Sequence, residues 1–377
     1  MFDAQVIVVG GGPGGSAAAK RCAEHGLKTL MLERYKLPRE KVCGGYLMNE
    51  LPRRLVKEEF GELPDSVLDN PPYPIDTYVH EVGGKITKAK LDWAMPSVFR
   101  IHFDYWLNQG AKAKGAEIWD STQVISMVEE TDGYTLEVNR EGKKQTLKAQ
   151  FVIGADGATS TVRRSLFPDF VPRCSQCYQE WYEGDMESLY GFDRNGMHQF
   201  QLPPDGTRHL LISGANLVQK SGFMVMEADA KMGELPETIA RAHQAFKANG
   251  VDIPKPTEKR AALIPGFFKE LFAGTFVPYR GNALLIGDAG GLIIPVTGEG
   301  IGTAMQSGFA AADAIIKALA SGEKAEKYYQ KDVNEMLPKF QKIYELVRVI
   351  RDASTQGPEA YKRATDALYK ATDQLFV

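Results

Sequence analysis

Cysteine is scarce: four residues in 377, Cys22, Cys43, Cys174 and Cys177, cannot build a dense disulfide framework and fit the reduced thiols of a cytosolic protein. Positive charge is not in excess. The chain carries 45 Lys and Arg against 48 Asp and Glu, a formal charge of −3, so no overall field draws it to nucleic acid or to an anionic membrane. Long apolar runs are absent too: none approaches the roughly 20 residues that span a bilayer, and the first, Val6 to Val9, is too short for a signal-peptide core. The expectation is a cytoplasmic protein, soluble or peripheral to the membrane, that does not bind nucleic acid. Hydrophobic residues at 44% and charged residues at 25% describe a folded chain rather than a disordered one. Its length suits about two or three domains and a cleft between them. Glycine, in contrast, is plentiful at 37 residues, and the excess clusters in three places.

The first cluster follows the apolar run Val6-Ile7-Val8-Val9 and precedes the Ala-rich stretch Ser16 to His25. An unbroken apolar run is what a parallel strand covered on both faces looks like. The order is therefore strand, tight turn, helix. Gly10, Gly12 and Gly15 satisfy G-x-G-x-x-G, in which the first glycine allows the turn, the second admits a pyrophosphate to the backbone, and the third lets helix and strand pack closely. Pro13 and Gly14 fill the turn, and the phosphates sit on a helix N-terminus. A second apolar strand, Lys28 to Leu32, ends in Glu33, about 20 positions on, where a carboxylate can accept from the ribose hydroxyls of an adenosine. This motif predicts a dinucleotide and does not by itself distinguish NAD from FAD.

Phe151-Val152-Ile153 is another buried strand, running into Gly154-Ala155-Asp156-Gly157 and then Ser160, Arg163 and Arg164. Ala283-Leu284-Leu285-Ile286 repeats the design and leads into Gly287-Asp288, Pro295, Gly298-Glu299-Gly300 and a helix-forming run from Ile301 to Leu319. Together the three segments resemble the FAD-dependent para-hydroxybenzoate-hydroxylase fold superfamily. The resemblance implies an α/β fold: a Rossmann-type FAD-binding domain with a mixed β-sheet substrate domain. It implies FAD as the cofactor, with the first segment and Arg34 on the ADP part and Asp288 on the ribityl chain. Gly298, Gly300 and Ile301 would contact the isoalloxazine, with Val124, Asp156, Gly157 and Gly287 also at the cofactor. Arg100, in Arg100-x-x-Phe103-Asp104 at a helix start, stands where the family places an arginine near the pyrophosphate or ribityl chain.

Within the superfamily, Pro38 to Gly45 resembles the Pro-x-x-Cys-Gly-Gly signature of the geranylgeranyl reductase branch, with two further residues between the proline and Cys43, and Pro295-Val296-Thr297-Gly298-Glu299-Gly300-Ile301 resembles its last motif. Cys43, Pro295 and Gly298 are the expected catalytic positions, with Cys43, Gly44 and Gly45 against the flavin. Glycine permits backbone close to a planar ring, and a thiol beside it can tune it or assist proton delivery. The branch's Tyr-x-Trp-x-Phe-Pro strand is replaced here by His198-Gln199-Phe200-Gln201-Leu202-Pro203. His198, Phe200 and Leu202 are then the expected substrate-facing residues, and the polar ring points to a shorter or more polar alkene. The halogenases' Trp-x-Trp-x-Ile-Pro is missing as well, which disfavours halogenation.

The function implied is reduction of carbon–carbon double bonds in a lipophilic or isoprenoid-type substrate. Two alternatives stay open: a monooxygenase acting on an aromatic or lipid, and a non-catalytic electron-transfer or maturation partner. With one dinucleotide fingerprint and no separate nicotinamide domain, the electron donor is either NAD(P)H binding transiently or a redox partner such as ferredoxin. The expected division is an FAD domain at 1–72, 96–172 and 279–322, a substrate domain at 73–95 and 173–278, and C-terminal helices at 323–377. Strands are expected at Val124 to Glu129, Tyr134 to Val138 and Gln145 to Ile153 around turns at Asp132-Gly133 and Glu141-Gly142. A helix is expected near Leu235 to Asn249. Cys174-x-x-Cys177 lacks a second ligand pair at zinc spacing and reads as strand, so no metal is expected. His198, His209 and His243 read as surface or cavity residues.

Overall fold

The computed structural model describes residues 2–47, 49–68, 76–81, 89–90, 96–184, 196–201, 209–213, 216–217, 220–230, 254–295, 297–354, 356 and 358–376, with 236, 240, 243, 244 and 247. From the N-terminus come β1 (Ala4–Val9), α1 (Pro13–Glu24), β2 (Thr29–Leu32), α2 (Glu50–Phe60), β3 (Asp76–Glu81), β4 (Ala89–Lys90), α3 (Arg100–Ala113) and β5 (Glu117–Trp119). A meander follows: β6 (Thr122–Glu129), β7 (Tyr134–Arg140) and β8 (Lys143–Gly154). Then come α4 (Thr161–Leu166), β9 (Cys174–Glu183), β10 (Gly196–Gln201), β11 (His209–Ser213), β12 (Asn216–Leu217), β13 (Lys220–Ala230) and β14 (Glu258–Pro265). The chain closes with α5 (Phe268–Phe272), β15 (Tyr279–Arg280), β16 (Ala283–Leu285), α6 (Ile301–Ser321), α7 (Ala325–Ser354) and α8 (Pro358–Phe376).

The described strands make two sheets. One runs β15-β16-β8-β1-β2-β5, parallel from β16 to β5, and β7 and β6 continue it antiparallel from β8. The unbroken apolar strands are explained by the two cores they separate. Val6, Val8, Phe151, Ile153 and Leu284 face one core, while Ile7, Val9, Val152 and Leu285 face the other. The first core is completed by α1, α6 and α7, through Ala18, Ile315, Val333 and Phe340. Close approach of α1 and α6 depends on glycine: a Cβ at Gly308 would lie 2.4 Å from the Gly14 carbonyl oxygen. Buried Tyr329 ties α7 to the sheet, its hydroxyl donating to the Leu285 carbonyl at 2.9 Å.

The second sheet runs β14-β9-β13-β11-β10-β3-β4, with β12 beside β13. Strand β10 lies parallel to β3, so the 73–95 stretch contributes to this sheet. Along β9 the side chains alternate. Cys177 packs with Val42 and Ile264, and Gln179 donates to the Cys43 carbonyl at 2.7 Å, so this face looks toward the first sheet. Buried Glu180 lies on the opposite face, where it accepts from the Tyr178 hydroxyl and His243 at 2.7 Å each and also from the Tyr182 hydroxyl. Lys259 approaches it to 3.2 Å. His243 is a partly exposed surface residue, as its sequence reading has it, and it also ties a helical position to this buried carboxylate. Of the helix expected at 235–249, positions 236, 240, 243, 244 and 247 are helical, and the others lie outside the described residues. Among the described residues no helix is long and apolar enough to cross a membrane.

Candidate functional site

The parallel strands end on a cavity of about 720 Å³, walled by the loops after β1, β2, β8 and β16 and, across from them, by residues of β9 and β14. Every residue the sequence proposes for the cofactor, from Gly10 to Ile301, lines this one cavity, as do Cys43 and Gly298. Pro295 does not. It is buried behind the wall, because the chain reverses there: Thr297 N–H donates to the Pro295 carbonyl at 3.0 Å and Gly298 N–H to that of Ile294 at 3.1 Å. Gly298, at φ +68°, is what the turn presents to the cavity. Of the three expected catalytic positions, Cys43 and Gly298 line the cavity and Pro295 does not. His198 and Phe200 are on β10, and Leu202 lies outside the described residues.

Two helices point uncapped N-termini at the cavity. Gly12 before α1 and Gly300 before α6 offer no side chain to the first-turn amides, which leaves donors and the positive dipole end for a ligand anion. The glycine roles follow from their surroundings. Gly10 has φ +112°, and a Cβ on Gly15 would stand 1.9 Å from the Gly10 carbonyl oxygen, whereas one on Gly12 would meet only Arg39, at 3.7 Å. Gly15 is thus fixed by the protein itself. Gly12 is open toward the cavity.

Buried Glu33 accepts from Gly11 N–H at 3.0 Å and Arg39 Nε at 2.9 Å on Oε2, and from Tyr35 N–H at 3.0 Å on Oε1, which keeps a second lone pair for another donor. Arg39 also reaches Asp104 at 3.2 Å, and Arg100 makes a two-pronged pair with Asp104 at 2.7 and 2.9 Å. Burial works against the Arg100 charge, but the paired Asp104 carboxylate more than holds it. Arg39 and Asp104 were not picked out by sequence reasoning. Neither was Asn108, which donates to the Gly11 carbonyl at 2.9 Å and to Ser16 at 2.7 Å and so braces the glycine loop from α3.

Asp156 accepts on Oδ2 from the amides of Thr161 and Val162, at 2.6 and 3.2 Å, starting α4; its Oδ1 is buried with no hydrogen-bond partner among the described residues. Asp288 makes no side-chain hydrogen bond to the described residues. Burial pushes its carboxyl upward against the pull of Lys41, Arg100 and Arg163. A carboxyl so placed is an acceptor waiting for donors, which the hydroxyls of a polyol chain supply. Together, the uncapped helix ends, the open Gly12 and these acceptors fit a dinucleotide carrying a sugar alcohol. Replacing Asp288 by Ala is expected to weaken FAD binding about 10- to 100-fold, the worth of one charged hydrogen bond of ~1.5–3 kcal/mol, in a fluorescence titration of the apoprotein. Unchanged affinity would remove Asp288 from the site.

Behind the wall lies Arg163, 1% exposed, whose guanidinium donates to the carbonyls of Ala289 at 2.9 Å and Ala158 at 2.6 Å and stacks over Phe267. It fastens the loop after β8 to the loop after β16. Cys174 and Cys177 stand on β9, and neither is in a disulfide.

A family model described as an FAD-binding domain matches residues 3–343. Digeranylgeranylglycerophospholipid reductase 3 of Methanosphaera stadtmanae is 25% identical, over 95% of this chain and 90% of its own. A solved geranylgeranyl bacteriochlorophyll reductase-like protein from Thermoplasma acidophilum superposes with a TM-score of 0.74 at 19% identity, covering 98% of both chains. The p-nitrophenol 4-monooxygenase PnpA of Pseudomonas putida does so with a TM-score of 0.73 at 19% identity, over 99% of this chain and 94% of the other. These structures share the fold.

Proposed function

The chain belongs to the FAD-binding domain family, and from this we propose that it is a geranylgeranyl-reductase-like FAD-dependent oxidoreductase that saturates carbon–carbon double bonds of a lipophilic, isoprenoid-type substrate. The observation that carries the reading is the meeting of Cys43-Gly44-Gly45 with Asp288 and the α6 N-terminus around one cavity. The likeness to an archaeal isoprenoid-lipid reductase along 95% of the chain supports it.

In this reading Glu33 would hold the adenosine ribose, the amides from Gly12 to Gly15 the pyrophosphate, and Asp288 the ribityl chain. Gly300 and Ile301 amides would stabilise negative charge on the ring system. Bound there, FAD supplies a two-electron hydride carrier. The protein's own contribution is orientation, exclusion of water by β9 and β14, and a proton. Cys43, whose carbonyl is held by Gln179 and whose Sγ accepts from Gly45 N–H at 3.4 Å, stands on the wall beside Arg100. Cys43→Ser is expected to leave FAD bound while slowing reoxidation of the reduced protein by substrate; an unchanged rate and flavin spectrum would make Cys43 structural. The electron donor in this reading is NAD(P)H or a ferredoxin-type carrier.

The fold is shared with a monooxygenase, so the second reading is hydroxylation in the same cavity. Anaerobic reduction followed by isoprenoid, polar-alkene and aromatic candidates separates the two. A product heavier by two hydrogens supports reduction. Inertness toward every alkene, with oxygen added to an aromatic once air is admitted, would overturn it.

A further inference from the structure

One titratable group on the cavity wall is given no role in the reading above. Glu299 stands between Gly298 and Gly300, and its Oε2 accepts a hydrogen bond from Nδ2 of Asn49. Asn49 is 2% exposed and itself fixed, because its Oδ1 caps α2 by accepting from Leu51 N–H at 3.0 Å. The other carboxyl oxygen, Oε1, is buried and has no hydrogen-bond partner among the described residues. A carboxylate with one bare buried oxygen is costly, and a carboxylic acid much less so.

The surroundings push the same way. Burial raises Glu299 to about 7, with Asp373 of α8 adding to the rise, against the pull of Thr297 on its own loop and of Asn49 and Arg53 on α2. Arg53 is shared with Glu50 at 3.0 Å, Asp373 accepts from Glu50 N–H at 2.8 Å, and Tyr369 of α8 lines the cavity nearby.

We propose that Glu299 is the proton donor of this site, its carboxyl held by Asn49 in the cavity wall so that the proton on the acid can pass to bound substrate. The inference rests on the reductase reading above and names the acid that reading requires. Saturating a double bond takes a hydride to one carbon and a proton to the other. The electron pair of the π bond forms the new C–H bond with the proton as the Glu299 O–H bond breaks. The second pair arrives as hydride from reduced flavin, which is thereby oxidised. Glu299 is left as a carboxylate and recovers its proton from water.

The test uses full-length FAD-loaded protein, wild type, Glu299→Gln and Glu299→Asp. In wild type the rate of reoxidation by a reducible alkene falls as pH rises through about 7. In Glu299→Gln that rate is expected to drop on the order of 100-fold or more, the usual worth of a general acid, and to lose the limb; Glu299→Asp restores part of both. Infrared titration gives a readout independent of turnover: a carboxylic-acid C=O band that disappears with a midpoint near 7 in wild type and is absent from Glu299→Gln. The sign of the stability change is set as well. A carboxyl raised in the folded state contributes stability fully present below its unfolded value, 4.5, and lost as pH rises through about 7, so Glu299→Gln gains on wild type above pH 7 in thermal unfolding. Alkene-driven reoxidation of Glu299→Gln at the wild-type rate and pH profile would overturn the proposal alone, and so would a band that titrates in the ordinary carboxylate range. If wild type itself is reoxidised by no alkene, the reductase reading falls and takes the proposal with it.

Discussion

Gly15→Ala is expected to give a destabilised chain that holds FAD far more weakly. The added Cβ would stand 1.9 Å from the Gly10 carbonyl oxygen and 3.3 Å from the Ala155 side chain, and the first of these is backbone that cannot rotate away. α1 must then back off from β1, at a cost of at least the ~1–3 kcal/mol of overpacking. The same shift moves the helix N-terminus away from the phosphates. If ~3 kcal/mol falls on binding, affinity drops about 100-fold. Gly12→Ala separates the two effects: its Cβ meets only Arg39 at 3.7 Å, so thermal stability should hold while FAD affinity falls, because the methyl occupies the space that the pyrophosphate needs. Thermal unfolding and FAD titration on both variants check the pair, and a Gly15→Ala protein that binds FAD normally would contradict the geometry.

Arg163→Leu carries the second large effect. It leaves the carbonyls of Ala158 and Ala289 without their donor and takes a positive charge from the vicinity of Asp156 and Asp288. Buried acceptors left unpaired cost about 1–3 kcal/mol each, so a loss of roughly 3 kcal/mol is expected. That is a fall of several degrees in Tm for a chain of this size. Arg163→Lys keeps the charge but cannot span both carbonyls, and should recover less than half of the loss. A Tm within a degree of wild type for Arg163→Leu would show that the two loops do not depend on this clamp.

How much was legible beforehand follows from how local each signal is. The glycine loop, Glu33, Asp156 and Asp288 sit at the ends of strands whose apolar runs are readable in isolation, so their convergence on one cavity could be anticipated. The start of α3 at Arg100 could be too, though its guanidinium is taken up by Asp104, one turn along the same helix. Other partners are far apart along the chain: Arg39 and Asp104 by 65 positions, Gly11 and Asn108 by 97, Arg163 and Ala289 by 126, Asn49 and Glu299 by 250. No periodicity or motif joins such pairs, and tertiary folding alone makes them neighbours. The pairing of His243 with Glu180 was hidden for the same reason, since the two are 63 positions apart. Pro295 is set apart from its motif neighbours in the fold. Its motif neighbours Gly298 and Gly300 do face the cavity, and continuity suggested that Pro295 did as well, but the turn at Thr297 and Gly298 directs it inward.

The most direct check is titration of the purified apoprotein with FAD, followed by visible absorption and flavin fluorescence. Saturation at one FAD per chain is the expected result, with affinity reduced in both Gly12→Ala and Asp288→Ala while each variant keeps its fold. Protein that takes up no flavin at saturating concentration, or variants that bind as tightly as wild type, would contradict the claim that these distant segments grip one cofactor.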